Sequence, residues 1–292
     1  MKSKMHNKYY PISFMLPAFF IFTLFYVFAS VLGFVLAFTD WSSRTGEAHF
    51  VGLENFRWLL NDASLLTSLK NQFVFAIVTS SSKTFLGLLV ALLLNMTFRG
   101  RNTLRTIVYM SSMYSALIVG YIFNYILRYD GLLNTFLRSI HLDVLAKDWL
   151  GDFNLALFSV AGVETWMWIG FNAVIILAGL QSIPREILEC SEIDGANQWR
   201  RFISIKLPFI FHALNIAFLI NLIGGLKAFD TIIAMTGGGP GHATEVISTL
   251  ILKALSSSSL GYASAIGLVQ FFVISIIAFS VNWVTSKKEI EL

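Results

Sequence analysis

Residues Glu189–Pro208 read ECSEIDGANQWRRFISIKLP and form the longest charged, helix-compatible segment in a chain otherwise dominated by apolar runs. Acidic residues precede a central glycine, and basic residues follow it. We expect two short helices here, because Gly195 can end the first and Asn197 is a suitable N-cap for a second one through Phe202. Pro184 suits the first turn of the first helix. A polar loop that carries its own amphipathic helices between apolar segments is typical of a docking element.

The composition excludes an ordinary soluble domain. Apolar residues make up 56% of the 292 residues, charged residues make up 13%, and the mean hydropathy is +0.70. The single cysteine, Cys190, excludes an intrachain disulfide and a multi-cysteine metal site. The five histidines show no metal-ligand spacing with carboxylates. We therefore predict one integral membrane domain that comprises residues 1–292.

Six segments are long and apolar enough to cross a hydrocarbon core of about 30 Å, which needs roughly 20 helical residues. Their approximate limits are Ile12–Phe38, Gln72–Met96, Thr106–Ile126, Leu155–Leu180, Phe209–Met235 and Tyr262–Val284. The first segment is too long for the apolar core of a secretory signal and lacks a small-residue cleavage site, so we expect it to be retained. The predicted fold is all-α, with six transmembrane helices.

The distribution of basic residues predicts the orientation of these spans. The two tails and two of the loops, including the one at about 181–208, contain twelve Lys and Arg residues. The alternate loops contain seven, outnumbered there by nine acidic residues. Since basic residues accumulate on the cytoplasmic side, both termini and the 181–208 loop are predicted to be cytoplasmic.

The charged segment resembles the "EAA" loop of permease subunits in binding-protein-dependent ABC importers. The positions that carry the match are Glu189, Asp194, Gly195, Ala196, Phe202, Ile205, Leu207 and Pro208. Cys190 and Ser191 stand in place of two alanines, a mild departure because both are small. Further landmarks resemble the carbohydrate-uptake branch of this family: Phe50–Phe56 is similar to F-x-G-L-x-N-F, and Thr236–Pro240 is similar to T-x-G-G-P. The similarity extends through essentially the whole chain.

The resemblance implies the type I fold of ABC importer permeases in a bacterial or archaeal cytoplasmic membrane, surrounded by membrane lipid. It implies a second permease subunit, a dimer of ATPase subunits, an extracytoplasmic solute-binding protein and a sugar or oligosaccharide substrate. ATP and Mg would be bound at the ATPase subunits, so this chain would bind no cofactor and no metal and would not be an enzyme. The residues implied to couple the chain to the ATPases are Glu189, Asp194, Gly195, Ala196, Trp199, Phe202, Leu207 and Pro208.

Four ionisable residues fall within the predicted spans: Lys83, Glu164, Lys227 and Asp230. A charge at the centre of a span costs at least about 2.5–3.5 kcal/mol, so each should face protein or water. Lys227 and Asp230 are three residues apart on one predicted helix and could neutralise each other. Alternatively, Lys227 or Glu164 lines the transport pathway and bonds substrate hydroxyls. For Lys83 we expect a structural role as a partner for another helix.

The fourth span combines a carboxylate with aromatic side chains at helical spacing, which suits the binding of sugars. Glu164, Met167, Trp168 and Phe171 could share one face of this helix, although a lipid-facing aromatic stripe has the same spacing. Aligned with maltose-type permeases, these residues match sugar-contacting positions. The other matching positions are Ser112 and Ala116 in the third span and Gly224, Gly225 and Ala228 in the fifth. The small residues of the fifth span indicate either a wider cavity or a subunit that leaves binding to its partner permease.

Other functions are less consistent with the sequence. Ser82-Lys83-Thr84 lacks the preceding glycines of a phosphate-binding loop, so the chain has no ATPase site of its own. Basic residues flank the spans and form no aromatic-interleaved stripe, so no nucleic acid partner is expected. A permease for another polar solute, such as a glycerophosphodiester, remains an alternative within the same superfamily. A secondary transporter driven by an ion gradient remains an alternative from another class, with Glu164 and Asp230 as its candidate carboxylates.

Overall fold

The computed structural model describes residues 12–286, which are largely helical. In this part of the chain there is no β-strand, only the isolated bridges Thr39–Phe50 and Ser42–Ser259. The basic tail residues that contribute to the predicted orientation, Lys2, Lys4, Lys8, Lys287 and Lys288, lie outside the described residues. The cytoplasmic location of both termini therefore stays a prediction.

Thirteen helices in residues 12–286 form the parts of the structure that are relevant to the site. They are α1 Leu16–Leu36, α2 Glu54–Asn61, α3 Ala63–Asn95, α4 Arg101–Met110, α5 Ala116–Leu127, α6 Leu132–Ser139, α7 Ala156–Gln181, α8 Arg185–Ile193, α9 Gln198–Phe209, α10 Phe211–Leu226, α11 Asp230–Met235, α12 Ile247–Ser256 and α13 Leu260–Ser286.

Four helices, α1, α3, α7 and α13, are each long and apolar enough to cross a membrane. The remaining candidates are two bent pairs. Arg101–Met113 meets Ala116–Ser139 at 94°, and Gln198–Phe209 meets Phe211–Leu226 at 63°. The predicted number of six spans is reached if each bent pair counts as one span.

The third predicted span, Thr106–Ile126, is not the continuous helix that its hydropathy suggests. Tyr114 and Ser115 are extended, with φ/ψ of −79°/151° and −63°/130°, and separate α4 from α5. The end of α4 is held instead by contacts with α7, where the Ser111 hydroxyl lies 3.1 Å from the carbonyl oxygen of Met167. The sequence around the break contains no proline or glycine, so the prediction of an uninterrupted helix was wrong for lack of a local signal.

The fifth predicted span, Phe209–Met235, is also interrupted. Helix α10 ends at Leu226 and α11 begins at Asp230. Gln72 of α3 is almost fully buried, and its amide nitrogen donates to the carbonyl oxygen of Gly225 at 2.9 Å. The Gln72 side-chain oxygen accepts from the backbone nitrogen of Ile247 at 3.0 Å. One buried amide thus satisfies backbone groups at two helix ends, which is the condition for a break inside a membrane.

The chain divides into two compact units. The first comprises the residues up to Asp62 together with 251–271, and the second comprises 63–250 together with the residues from 272 onward. In the first unit the buried Asn55 side chain donates to the carbonyl oxygens of Ala37 and Thr39 at 2.9 and 2.8 Å. Asn55 is the asparagine of the F-x-G-L-x-N-F segment, and it fixes α2 to the end of the first apolar helix.

In the second unit, α3 packs along α7 and α10 through two apolar clusters. Phe75, Val160 and Ile232 are fully buried in one, and Ala91 and Ile176 in the other. The predicted turn after the fifth span is confirmed. Glycines 237, 238 and 241 have positive φ angles of 61°, 94° and 58°, and the turn is closed by a 2.7 Å hydrogen bond between the hydroxyls of Thr236 and Thr244.

Close packing between α4 and α7 provides a test of this arrangement. A methyl group at Gly170 would lie 2.1 Å from the carbonyl oxygen of Val108, whereas one at Gly162 of the same helix would meet nothing within 4 Å. We expect Gly170→Ala to lower the stability by about 1–3 kcal/mol because backbone atoms must move apart. Thermal unfolding of the purified protein in one detergent measures this. Gly162→Ala is the matched control and should be neutral or slightly stabilising; equal melting temperatures for the two variants would contradict the packing.

Candidate functional site

A cavity of about 390 Å³ lies in the second unit, where both helix breaks meet α3 and α7. The residues that line it come from α3, α5, α7, α10, α11 and the 227–229 break. They are Lys83, Ala116, Glu164, Trp168, Phe171, Ile220, Asn221, Gly224, Lys227, Ala228, Phe229, Asp230 and Thr231. The cavity has the mixed polar and aromatic lining that suits a polar organic solute.

The structure brings together most of the residues that the sequence placed on the transport pathway. Ala116, Glu164, Trp168, Phe171, Gly224, Lys227 and Ala228 all line the cavity. The Trp168 and Phe171 rings meet edge to face, with centroids 5.8 Å apart and an interplanar angle of 84°. Both residues border the cavity, so this aromatic pair lies on the cavity face of α7.

Three predicted pathway residues lie elsewhere. Met167 is 1% exposed and belongs to the apolar core, so it does not share the cavity face of Glu164, Trp168 and Phe171. Met167 lies at the edge of the predicted stripe, about 40° around the helix from Phe171 and about 100° from Trp168, and it packs into the core instead of bordering the cavity. Gly225 is buried against α3, where a Cβ atom would lie 2.7 Å from the Cα atom of Ala76.

Ser112, the third residue outside the cavity, lies in the short turn after α4. Its hydroxyl donates to the carbonyl oxygen of Tyr109 at 2.7 Å, a local bond of the helix end. Its assignment to the pathway came from the resemblance alone, and the cavity lining of this chain does not include it.

A buried ion pair forms the polar wall of the cavity. The Lys83 ammonium lies 3.0 Å from one carboxylate oxygen of Glu164, and the Thr231 hydroxyl donates to the other. The Lys83 side chain is 3% exposed and that of Glu164 is 15% exposed. The expectation that Lys83 partners another helix is confirmed. The three residues join α3, α7 and α11, and the carboxylate is paired, as expected of a charge that is largely removed from water.

Lys227 and Asp230 do not form the helical pair that their spacing suggested. The helix ends between them, both side chains are exposed in the cavity, and no ion pair joins them in the described structure of residues 12–286. The i, i+3 geometry that would bring the charges together requires an uninterrupted helix, so that prediction was wrong. Both groups are therefore open to the cavity.

An asparagine pair closes the wall next to Trp168. Asn172 and Asn221 are buried, and the Asn172 amide nitrogen lies 3.3 Å from the Asn221 side-chain oxygen, with a second bond in the reverse direction. Each amide also donates within its own helix, to Trp168 at 2.9 Å and to Ala217 at 2.7 Å. This paired contact ties α7 to α10 and provides hydrogen-bond partners for both buried amides.

The charged segment lies apart from the cavity lining and consists of α8 and α9 around a bend at Gly195. Gly195 has φ +73°, and the backbone nitrogen of Ala196 donates to the carbonyl oxygen of Ser191 at 3.0 Å, as in a glycine-terminated helix. The side chain of Asn197 accepts from the backbone nitrogen of Arg200 at 2.8 Å, which confirms it as the N-cap of α9. An ion pair between Arg201 and Glu192 joins the two helices across the bend.

Two details of this segment differ from the prediction. Pro184 is the N-cap of α8 and not a residue of its first turn. The second helix does not stop at Phe202 but continues through a π-helical turn, Phe202–Lys206, to Phe209. Leu207 and Pro208 thus lie inside α9, where the wider π turn accommodates the proline that an α-helix interior would not.

The segment leaves apolar side chains uncovered. Ile193 is 86% exposed and Trp199 is 70% exposed, and the carboxylates of Glu189 and Asp194 are also on the surface. Beside them a groove of about 840 Å³ runs between α9 and the end of α3, lined in part by Leu92, Phe202 and Lys206. Exposed aromatic and aliphatic groups next to charges have the composition of a protein-binding surface.

Several residues that shape the cavity were not identified from sequence. Thr231, Asn221 and Phe229 line it, and Gln72 holds the break at Gly225. The available signal was the presence of Gln72 in an otherwise apolar span, since a buried amide must find partners. No periodic pattern marked Thr231, because its contact with Glu164 depends on the break in the fifth span.

The Lys83–Glu164 contact can be tested by a double-mutant cycle. Lys83→Met leaves a carboxylate without its cation inside the bundle and should cost about 3–5 kcal/mol. The double variant Lys83→Met, Glu164→Gln removes both charges, so we expect it to recover most of this loss. Thermal unfolding of the wild type, the two single variants and the double variant in the same detergent measures the coupling free energy between the two side chains. Additive effects of the two substitutions would show that the pair does not stabilise the bundle.

Comparisons with known proteins agree with this geometry. The family described as "Binding-protein-dependent transport system inner membrane component" matches residues 83–287. The multiple sugar-binding transport system permease protein MsmF of Streptococcus mutans is 31% identical over 276 residues, covering 94% of each chain. The trehalose/maltose transport system permease protein MalF of Thermococcus litoralis is 35% identical over 228 residues, 78% of this chain and 77% of the relative.

A solved structure provides the fold comparison. A chain of a bacterial ABC transporter involved in the import of the acidic polysaccharide alginate has a TM-score of 0.83 to this chain, at 23% identity over 98% of both. The two chains therefore share their fold, and the resemblance inferred from the charged segment is confirmed. This protein belongs to the family of inner-membrane components of binding-protein-dependent transport systems, the permeases of ABC importers.

Proposed function

We propose that this chain is a permease subunit that moves a sugar or an oligosaccharide across the cytoplasmic membrane in an ATP-driven, binding-protein-dependent importer. The observation that carries the proposal is the cavity in which Trp168 and Phe171 face the polar groups of Lys227 and Asp230. Sugar C–H faces pack on aromatic rings, while sugar hydroxyls require donors and acceptors within reach. Family membership and relatives named for sugar transport support the same substrate class.

The chain would act with a second permease, a dimer of ATPase subunits and an extracytoplasmic solute-binding protein. We assign ATP and Mg to the ATPase subunits and no catalysis to this chain. Family membership supports that assignment, because the matching relatives are named as permease proteins of transport systems.

The charged segment, α8 and α9 with the bend at Gly195, is called the coupling segment below, and it would connect the ATPase subunits to the cavity. Ile193 and Trp199 offer exposed apolar groups for a docking groove, and Glu189 offers a charge to a basic residue of the ATPase. Helix α8 follows the cavity helix α7 directly, since only residues 182–184 separate them. A displacement of the coupling helices can therefore be passed to α7 as a rigid-body motion.

At the cavity, the two helix breaks provide the flexible points for alternating access. The backbone leaves the helical conformation at Tyr114–Ser115 and again at 227–229, and both regions border the cavity through Ala116 and Ala228. Discontinuous helices at a substrate site allow one half of a span to move without unfolding the other. Sugar released by the binding protein would enter the cavity when it opens outward and leave when it opens inward.

The role of Gly195 is testable in the reconstituted complex. A β-branched residue is strained at φ +73°, although no neighbouring atom lies within 4 Å. We expect Gly195→Val to reduce uptake and transport-coupled ATP hydrolysis by at least about tenfold, a loss of 1.4 kcal/mol of coupling, while the protein still inserts.

Gly46→Val is the matched control, because Gly46 has φ +71°, is equally open and lies outside the coupling segment. Normal uptake by the Gly195 variant would contradict the coupling role. Uptake of sugar that persists without ATP and collapses with the ion gradient would identify a secondary transporter. ATP-driven uptake confined to a glycerophosphodiester or another non-sugar solute would correct the substrate class.

The aromatic lining gives a separate prediction. Trp168→Ala should lower sugar uptake about tenfold because a ring that packs on the sugar is lost, while the ATPase subunits remain attached. Trp166→Ala is the control, since Trp166 is 46% exposed, packs on Phe123 and does not line the cavity. Uptake assays and co-purification of the ATPase subunits separate the two effects. Equal uptake by both variants would show that Trp168 does not contact the transported sugar.

A further inference from the structure

The cavity carries equal numbers of positive and negative side chains. Its ionisable lining residues are two lysines, Lys83 and Lys227, and two carboxylates, Glu164 and Asp230. Inside a low-dielectric wall, an uncompensated charge acts strongly on any charged solute that enters. The sign and arrangement of these four groups therefore bear on which solutes the cavity can hold.

Two of the four charges cancel within the wall. The Lys83 ammonium lies 3.0 Å from Glu164 and is almost fully buried, and the Thr231 hydroxyl binds the second oxygen of Glu164. Neither charge of this pair is free for a substrate. The pair presents a neutral, hydrogen-bonded surface to the cavity.

The other two charges are open to the cavity and close together in the chain. Lys227 caps the end of α10 and Asp230 begins α11, so both belong to the same helix break. Lysine can only donate hydrogen bonds and an ionised aspartate can only accept them, whereas a sugar hydroxyl does both. Neighbouring hydroxyls of one sugar ring can thus accept from Lys227 and donate to Asp230, with Trp168 and Phe171 available for the apolar face.

We infer that the cavity of this chain selects an electrically neutral saccharide, and that Lys227 and Asp230 are its specificity-determining hydroxyl-binding pair. A uronic acid or a sugar phosphate that approached Lys227 would bring its negative charge towards Asp230, three residues away. Removal of Asp230 leaves Lys227 uncompensated and weakens the preference for neutral saccharides, whereas removal of Lys227 leaves Asp230 uncompensated and strengthens it. The inference rests on the proposed function, because it specifies the charge of the saccharide that the same cavity transports.

The test uses the complete complex with its binding protein in proteoliposomes that contain ATP. Uptake is measured for neutral trisaccharides (maltotriose, cellotriose and raffinose), each beside its counterpart oxidised to uronic acid at C6. The wild-type complex should take up the neutral member of a pair at least about tenfold faster, the effect expected of one unfavourable charge contact. A preference of the wild type for the uronic acid would overturn the inference.

Two variants test the contribution of each charge separately. In Asp230→Asn the ratio of uronic acid uptake to neutral uptake should rise about tenfold, and in Lys227→Gln it should fall about tenfold. Each substitution removes one unit charge and leaves the opposite charge of the pair uncompensated. The binding protein is the same in every assay, so its own preference cancels when the ratio of a variant is divided by that of the wild type. Asp143→Asn is the control for loss of a carboxylate, since Asp143 is exposed and lies outside the cavity.

The outcomes separate the inference from the function on which it rests. Unchanged ratios in both variants would refute the role of Lys227 and Asp230 while ATP-driven sugar uptake stands. If Asp230→Asn fails to assemble, the ratio in Lys227→Gln and the preference of the wild type still decide the matter. If no saccharide of either kind is taken up with ATP, the proposed function fails and the inference fails with it.

Discussion

The ion pair between Lys83 and Glu164 is the contact on which the arrangement of the cavity depends. Neither charge can remain inside the bundle alone, so α3 and α7 must approach until ammonium and carboxylate are 3.0 Å apart. The second oxygen of Glu164 then accepts a hydrogen bond from the Thr231 hydroxyl, which fixes the start of α11 against the same two helices. The buried amides of Gln72, Asn172 and Asn221 act alongside it and anchor α10. Close helix packing follows, as at Gly225, which has room only for a hydrogen against Ala76.

Backbone hydrogen bonding explains why the cavity lies where two spans are broken. A helix within a membrane satisfies its own peptide groups, so the chain can leave the helical conformation only where protein groups replace the missing bonds. Gln72 supplies such a group at Gly225, and at the other break the Ser111 hydroxyl donates to the carbonyl oxygen of Val108 at 3.0 Å. These polar contacts allow Lys227, Asp230 and Ala116 to face a common space. In continuous helices their spacing would direct them differently, and Lys227 would lie beside Asp230.

The coupling segment follows a different physical rule. Its bend is fixed by local interactions, since a left-handed glycine ends α8 and the Asn197 side chain caps α9. Its exposed Ile193 and Trp199 have no partner surface among the described residues of this chain that would bury them. The Lys83–Glu164 pair holds one wall of the cavity together, whereas the coupling segment keeps apolar groups on the surface, as expected of an element that docks onto another subunit.

The sequence by itself determined the features that depend on local chemistry. Apolar runs identified the membrane class and four continuous spans, the D-G-A-N sequence determined the bend and the cap, and the permease family followed from the E-C-S…D-G-A…L-P landmarks. The helical spacing on α7 correctly brought Glu164, Trp168 and Phe171 to one site but also included Met167, which is core. Only the tertiary structure decided the breaks at Tyr114–Ser115 and 227–229, the pairing of Glu164 with Lys83 and the separation of Lys227 from Asp230. Those features depend on contacts between residues up to 175 positions apart in the chain, as between Gln72 and Ile247, and such contacts leave no periodic trace in either partner's local sequence.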